Sequence, residues 1–387
     1  MVVIMPTFAS SLVRSGGFAI LSLLIQSFAA AQIHTPEGAL ALEQQGRTQE
    51  AVTAWRAVTQ ANPNDSGAFA SLGLDLARLE KYAEAVHAYR TALALDPKLP
   101  GIRLNLGLAE FKQGNFRAAI APFESVLAAE PSNQQARTLL GISYYGAKQF
   151  SAAVKHLKLA LEAEPGNTEL RQMLAQSCLN AKEFSCAVEE FRKLLEQSPD
   201  SSAAHVLMGE ALDGLDKTQD ALSEFQRAAE IAPKEPNVHF GVGYLYWKLN
   251  QYADAEREFN AELALDPQQA QALAYLGDIE FKKNNLDEAK TILQKSVKLE
   301  STSRIAYLDL GSIFVQQKQY KEALLMLRNA ERLDPSQPDV HYQLGRLYNF
   351  TGNPKAAQME LKKASELHQK NDEDVASKVP VSSPPPQ

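Results

Sequence analysis

The chain has 387 residues, 45% of them apolar and 22% charged, and a formal net charge of −7. This is ordinary soluble composition, yet a single core rarely grows so large, so it implies two or three domains or a repeat array. No Lys/Arg-rich run stands out in an acidic chain, which argues against a nucleic-acid partner, because phosphate contacts supply most of that affinity.

Residues 1–31 differ from the rest. Arg14 is their only charge, Gly16–Phe28 form a short apolar core, and Ala29, Ala30 and Ala31 follow. This is the pattern of a secretory signal peptide cut before Gln32. The core is short for a bilayer span, so no membrane span is expected after cleavage; an uncleaved anchor is the alternative.

From there one helical pattern recurs. "YAEAVHAYRTALALDP" begins at Tyr82, and close variants begin at Tyr252 and Tyr320. Stepping by 34 residues from Ala51 meets Ala85, Ala119, Ala153, Ala187, Ala221, Ala255, Ala289, Ala323 and Ala357 without a break. Twelve residues ahead lies a glycine column: Gly73, Gly107, Gly141, Gly209, Gly243, Gly277, Gly311 and Gly345, with Ala175 in its one gap. A bulky column runs from Trp55 and Tyr89 to Leu327 and Leu361. A proline column runs from Pro63 to Pro335, broken at Ser301 and Gln369. Glycine costs about 1 kcal/mol against alanine inside a helix. Its recurrence therefore predicts close backbone approach there, with the alanine serving the same contact from a second helix. The bulky residue is expected to fill the groove between neighbouring hairpins, and the proline to end each unit.

Ten units are expected, beginning near residues 32, 66, 100, 134, 168, 202, 236, 270, 304 and 338 and ending at 371. Residues 372–387 read as a disordered Pro/Ser-rich tail. Cys178 and Cys186, the only cysteines, flank the turn of the fifth unit. In an exported protein they suit a disulfide, or else they are two small buried residues. His205, His239 and His341 share position 4 of their units and read as packing residues. Glu189 and Glu190 read as solvated helix surface. No zinc-helix spacing, phosphate loop or nucleophile–base set appears, so no enzyme, cofactor or metal is expected.

The 34-residue period and its columns resemble the tetratricopeptide repeat (TPR), a helix–turn–helix unit. The resemblance covers about residues 36–371. It implies an all-α, right-handed superhelical solenoid with a concave groove lined by the first helix of each unit. In the family, positions 2, 5, 9, 12 and 13 tend to face that groove. Here the seventh unit places Phe240, Tyr244, Trp247 and Lys248 there, and the eighth places Asp278, Phe281 and Lys282. Such aromatics flanked by lysines suit an anchor residue of a bound peptide; alternatively the rings pack between units. The family's carboxylate clamp is not visible, since position 5 lacks Lys and Arg, and the asparagine ladder of its sugar transferases is absent too. The resemblance implies a non-catalytic scaffold binding protein or peptide segments. With the leader, this places it in the periplasm or outside the cell, in a bacterium. A self-assembling homo-oligomer, or a glycan or small-ligand binder at the aromatic cluster, are the other readings.

Overall fold

A computed structural model describes residues 35–378, with side chains as far as Lys370. The expected leader lies outside these residues. All regular structure among them is α-helical: α1 (Pro36–Gln44), α2 (Thr48–Ala61), α3 (Ser66–Arg78), α4 (Tyr82–Leu95), α5 (Ile102–Lys112), α6 (Phe116–Ala129), α7 (Gln134–Gly146), α8 (Phe150–Ala163), α9 (Thr168–Asn180), α10 (Phe184–Gln197), α11 (Ser202–Gly214), α12 (Thr218–Ile231), α13 (Val238–Lys248), α14 (Tyr252–Leu265), α15 (Ala270–Lys282), α16 (Leu286–Leu299), α17 (Arg304–Gln316), α18 (Tyr320–Leu333), α19 (Pro338–Phe350) and α20 (Pro354–Lys378). Each odd-numbered helix pairs with the even-numbered helix after it. Two compact units divide the chain, residues 1–190 and 191–387, and within each unit successive hairpins stack on one another.

Local chemistry sets the helix ends. Asp65, Asn133, Asn167, Ser201 and Ser303 each accept from the backbone N–H three residues on, at 2.9–3.4 Å, satisfying a donor that the first turn leaves free. The turn inside every hairpin has one device. Two residues past the first helix the backbone is left-handed, at Gly46, Glu80, Gly114, Lys148, Lys182, Asp216, Asn250, Asn284, Lys318 and Gly352. The next N–H then reaches back five residues, as Lys81 does to Leu76 at 2.9 Å. This is the Schellman closure of a helix C-terminus.

The glycine column works differently from the sequence expectation. A Cβ on Gly243 would lie 2.8 Å from the Phe259 ring, and one on Gly277 would lie 2.6 Å from the Leu293 side chain. The bulky column therefore packs first onto the bare glycine of its own hairpin, and Phe225 and Phe259 also reach the next hairpin, at Gly241 and Tyr275. Backbone approach is the secondary contact: the Ala255 carbonyl stands 3.3 Å from that Gly243 position. The proline column is also not the sole stop. The helix before Ser301 ends at Leu299, in register with those before a proline, so tertiary packing fixes the end there. At Gln369 the helix does continue, and α20 runs to Lys378. It passes the expected tail boundary because no glycine or proline interrupts the chain until Pro380; residues 379–387 lie outside the described residues.

Position 4 of the unit turns out to be a polar latch. His239 Nε2 donates to the Pro233 carbonyl at 3.0 Å, and its Nδ1 meets the Glu258 carboxylate at 2.8 Å. His205 repeats this with Pro199 and Glu224, and His341 with Pro335 and Glu360. Arg171 spans the same two places, donating to the Pro165 carbonyl and to Glu190. Glu190 is thus buried and ion-paired, not solvated as its surface-like sequence suggests; the latch spacing of 19 residues is what buries it. Cys178 and Cys186 are joined as a disulfide across the fifth turn, with Cα atoms 5.7 Å apart.

Candidate functional site

The start of α13 departs from the repeat. Pro236 stands where most units begin their helix, the next residue Asn237 is left-handed at φ 67°, and no local side chain caps the helix, as at Pro100 and Gly101 before α5. Glu262 of α14 supplies the missing acceptors, at 2.9 Å from the Asn237 N–H and 3.1 Å from the Phe240 N–H. A glutamate buried to 1% exposure thereby holds the first turn in place and aims Phe240. On the opposite side Val238, Val242 and Leu245 enter the core. Gly241 lets the Phe225 ring pass beneath the helix, since a Cβ there would fall 2.2 Å from it.

Phe240, Tyr244 and Trp247 follow at helical spacing and form one row, with successive ring centroids 6.5 and 6.3 Å apart. Each is half-buried. Their common neighbour is Tyr275 of α15, whose ring lies 6.0, 5.6 and 4.9 Å from the three and 5.7 Å from Phe259. Burial, followed by the Tyr244 and Asp278 charges, pushes the Tyr275 hydroxyl up to about 12, so it stays protonated. The rings thus pack between hairpins through Tyr275, and a partly open face remains.

The charged candidates are committed to intramolecular bonds. Asp278 is buried and accepts from Trp247 Nε1 and from Lys282 Nζ. Lys282 also lies 5.0 Å over the Trp247 ring. Burial first, the Asp278 charge second, holds the carboxyl of Asp309 on α17 well above the usual range, and its Oδ2 is buried without a hydrogen-bond partner. Lys248 turns away to Asp213 of α11, at 2.7 Å. Burial opposes the Lys248 ammonium, and the Asp213 bond outweighs that and raises it. Phe281 does not join the row; it packs against the core formed around α17 and α18.

A cavity of about 570 Å³ opens beside the row. Val206, Leu207 and Glu210 of α11 and Phe240, Gly241 and Tyr244 of α13 form its walls. A second depression, of about 300 Å³, lies beyond Trp247 and Tyr275, and Gln271 borders both. The aromatic ridge thus separates two hollows along one face, a form suited to holding an extended chain by side-chain anchors. Neither Glu210 nor Tyr275 was singled out in the sequence: each is an ordinary residue at its repeat position, and only the folded array sets it beside the row.

Two groups of potential metal ligands come together among the described residues. In the first, Cys178 and Cys186 are spent on each other beside Glu183. In the second, Glu331, His341 and Glu360 already serve Arg328 and Pro335. Neither leaves a ligand set free.

Comparison with known proteins matches four sets of tetratricopeptide-repeat models: residues 110–177 and 144–211, 73–114 and 311–349, 243–303, and 338–371. Together they span more than half of the chain. No curated protein matches the sequence. Among solved structures, a chain of the APC/C hetero-tetramer Cut9-Hcn1 is 15% identical with a TM-score of 0.51, over 85% of this chain and 79% of that one. Yeast Tom70 is 14% identical with a TM-score of 0.42, over 88% and 92%. YrrB, described as a TPR protein with an unusual peptide-binding site, is 22% identical with a TM-score of 0.37, over 50% and 99%. At such identity the Cut9 likeness bears on the fold alone.

Proposed function

We propose that this chain, which belongs to the tetratricopeptide-repeat family, is a non-catalytic scaffold that binds an extended protein segment along the face formed by α11, α13 and α15. The observation that carries this reading is the half-buried row of Phe240, Tyr244 and Trp247 between two hollows. Aromatic edges left open beside a cavity give a partner apolar area to bury without first reordering the protein. The leader-like residues 1–31 support export, and we assign the scaffold to a bacterial envelope or periplasm. No helix among the described residues is long and apolar enough to cross a membrane.

The test is a crosslinking pull-down from the native host's envelope fraction, comparing wild type with Val206→Arg, which places a long side chain in the larger cavity. Capture of one partner by wild type and its loss in a folded Val206→Arg variant is the expected result. Equal capture by both would move the binding face elsewhere. Self-assembly is the second reading. Leu325, Tyr342, Phe350 and Met359 are 52–67% exposed on the last two hairpins. Sedimentation at several concentrations decides it, and a strictly monomeric chain would end it.

A further inference from the structure

The larger cavity has an electrostatic sign. Its walls include Glu210, Asp213 and Glu235, and no lysine, arginine or histidine lines it. Asp213 is already neutralised by Lys248 at 2.7 Å. Glu210 differs. Among the described residues it makes no hydrogen bond or ion pair; it is open to solvent, and the apolar walls around it raise its carboxyl above the ordinary range. It stands among Val206, Leu207, Phe225, Phe240 and Tyr244. An unpaired carboxylate on the open wall of an otherwise apolar cavity lined by acids and no base gives that cavity a negative sign, and an incoming cation complements it.

We propose that this cavity takes an arginine or lysine side chain of the bound segment, its aliphatic stem along Phe240 and Tyr244 and its charged head on Glu210. The inference rests on the protein-binding reading above and adds the chemistry of the occupant. Long cationic side chains suit such a site because their stems bury against apolar surface while the head keeps a polar partner. The aromatic faces add a cation–π attraction to the same head. The continuation past Gln271 into the second hollow, bordered by Glu300, Thr302, Ser303 and Arg304, leaves room for a polar neighbour in the segment, which favours a peptide over a compact small ligand. An acidic segment would meet uncompensated repulsion at the same place.

The full chain is panned against an unbiased display library of ten-residue peptides, and the selected peptides are then titrated. The expected result is enrichment of Arg or Lys. Replacing that basic residue by glutamine, or Glu210→Gln in the protein, should each weaken binding about tenfold, as the loss of a charge-assisted bond does. Glu210→Lys should turn selection toward acidic peptides. Circular dichroism checks that each variant keeps its helix content. Peptides selected without a basic residue, or indifferent to Glu210→Gln yet lost with Val206→Arg, overturn the cation site and leave the groove reading standing. Recovery of no peptide at all overturns both.

Discussion

Asp75 illustrates what a single side chain costs in a stacked array. Its carboxyl is fully buried in α3, and one oxygen accepts from Arg78 at 2.8 Å while the other has no partner. Burial, followed by the nearby Glu43 charge, raises the group to about 6 from an ordinary 3.8. The folded state therefore holds this proton more tightly than the unfolded chain. Its stabilising contribution is complete below pH 3.8 and is lost as pH rises through 6. Asp75→Asn should remove this dependence and stabilise the protein by about 1–3 kcal/mol at pH 7. Denaturant melts at pH 4.5 and 7 check it. A variant less stable than wild type at pH 7 would mean that the charged Arg78 pair outweighs the burial. Residues such as Asp75, Glu210 and Glu262 were not legible beforehand, because repeat columns report what is common to the units and these act by being exceptions. The aromatic row was legible, since three large rings at helical spacing break the small-residue texture of the array; its hub Tyr275 lies on another helix and was not.

At the level of the helix, the hairpin turn is the clearest target. Ten left-handed residues close the ten first helices, but only Gly46, Gly114 and Gly352 are glycines. The others hold L side chains in a region that costs roughly 1 kcal/mol or more per residue. Lys148→Gly and Lys318→Gly should each raise stability by about 0.5–1 kcal/mol, because glycine meets no Cβ penalty at positive φ. Urea midpoints at unchanged slope test this, and a lower midpoint in either variant would mean that the lost side chain matters more than the relieved backbone. The column was present in the sequence at the 34-residue step, yet its lysines, asparagines and acids concealed the shared conformation. The glycine column shows the opposite case. Smallness was plain to read, but which atom used the space was not, and the answer was a ring or leucine of the same hairpin rather than a second backbone. The latch at position 4 was likewise visible as a spacing of histidines, while its partners, a proline carbonyl and a glutamate, needed the folded hairpin.

Across the whole molecule the period settled the architecture, because a constant 34-residue register allows one helix pair per repeat and ten pairs were counted. The division into two compact units between Glu190 and Phe191 was not legible. It falls within α10, where the alanine and bulky columns continue unbroken. The central claim concerns one face of the second unit, and one measurement addresses it most directly. A photo-crosslinking amino acid is placed at Val206, on the cavity wall, and at Leu325, exposed on α18, and expressed in the native host. The account predicts a protein adduct from Val206 that Leu325 does not give, identified by mass and reproduced with the purified partner. Adducts from Leu325 alone, or only self-adducts from both positions, would contradict it.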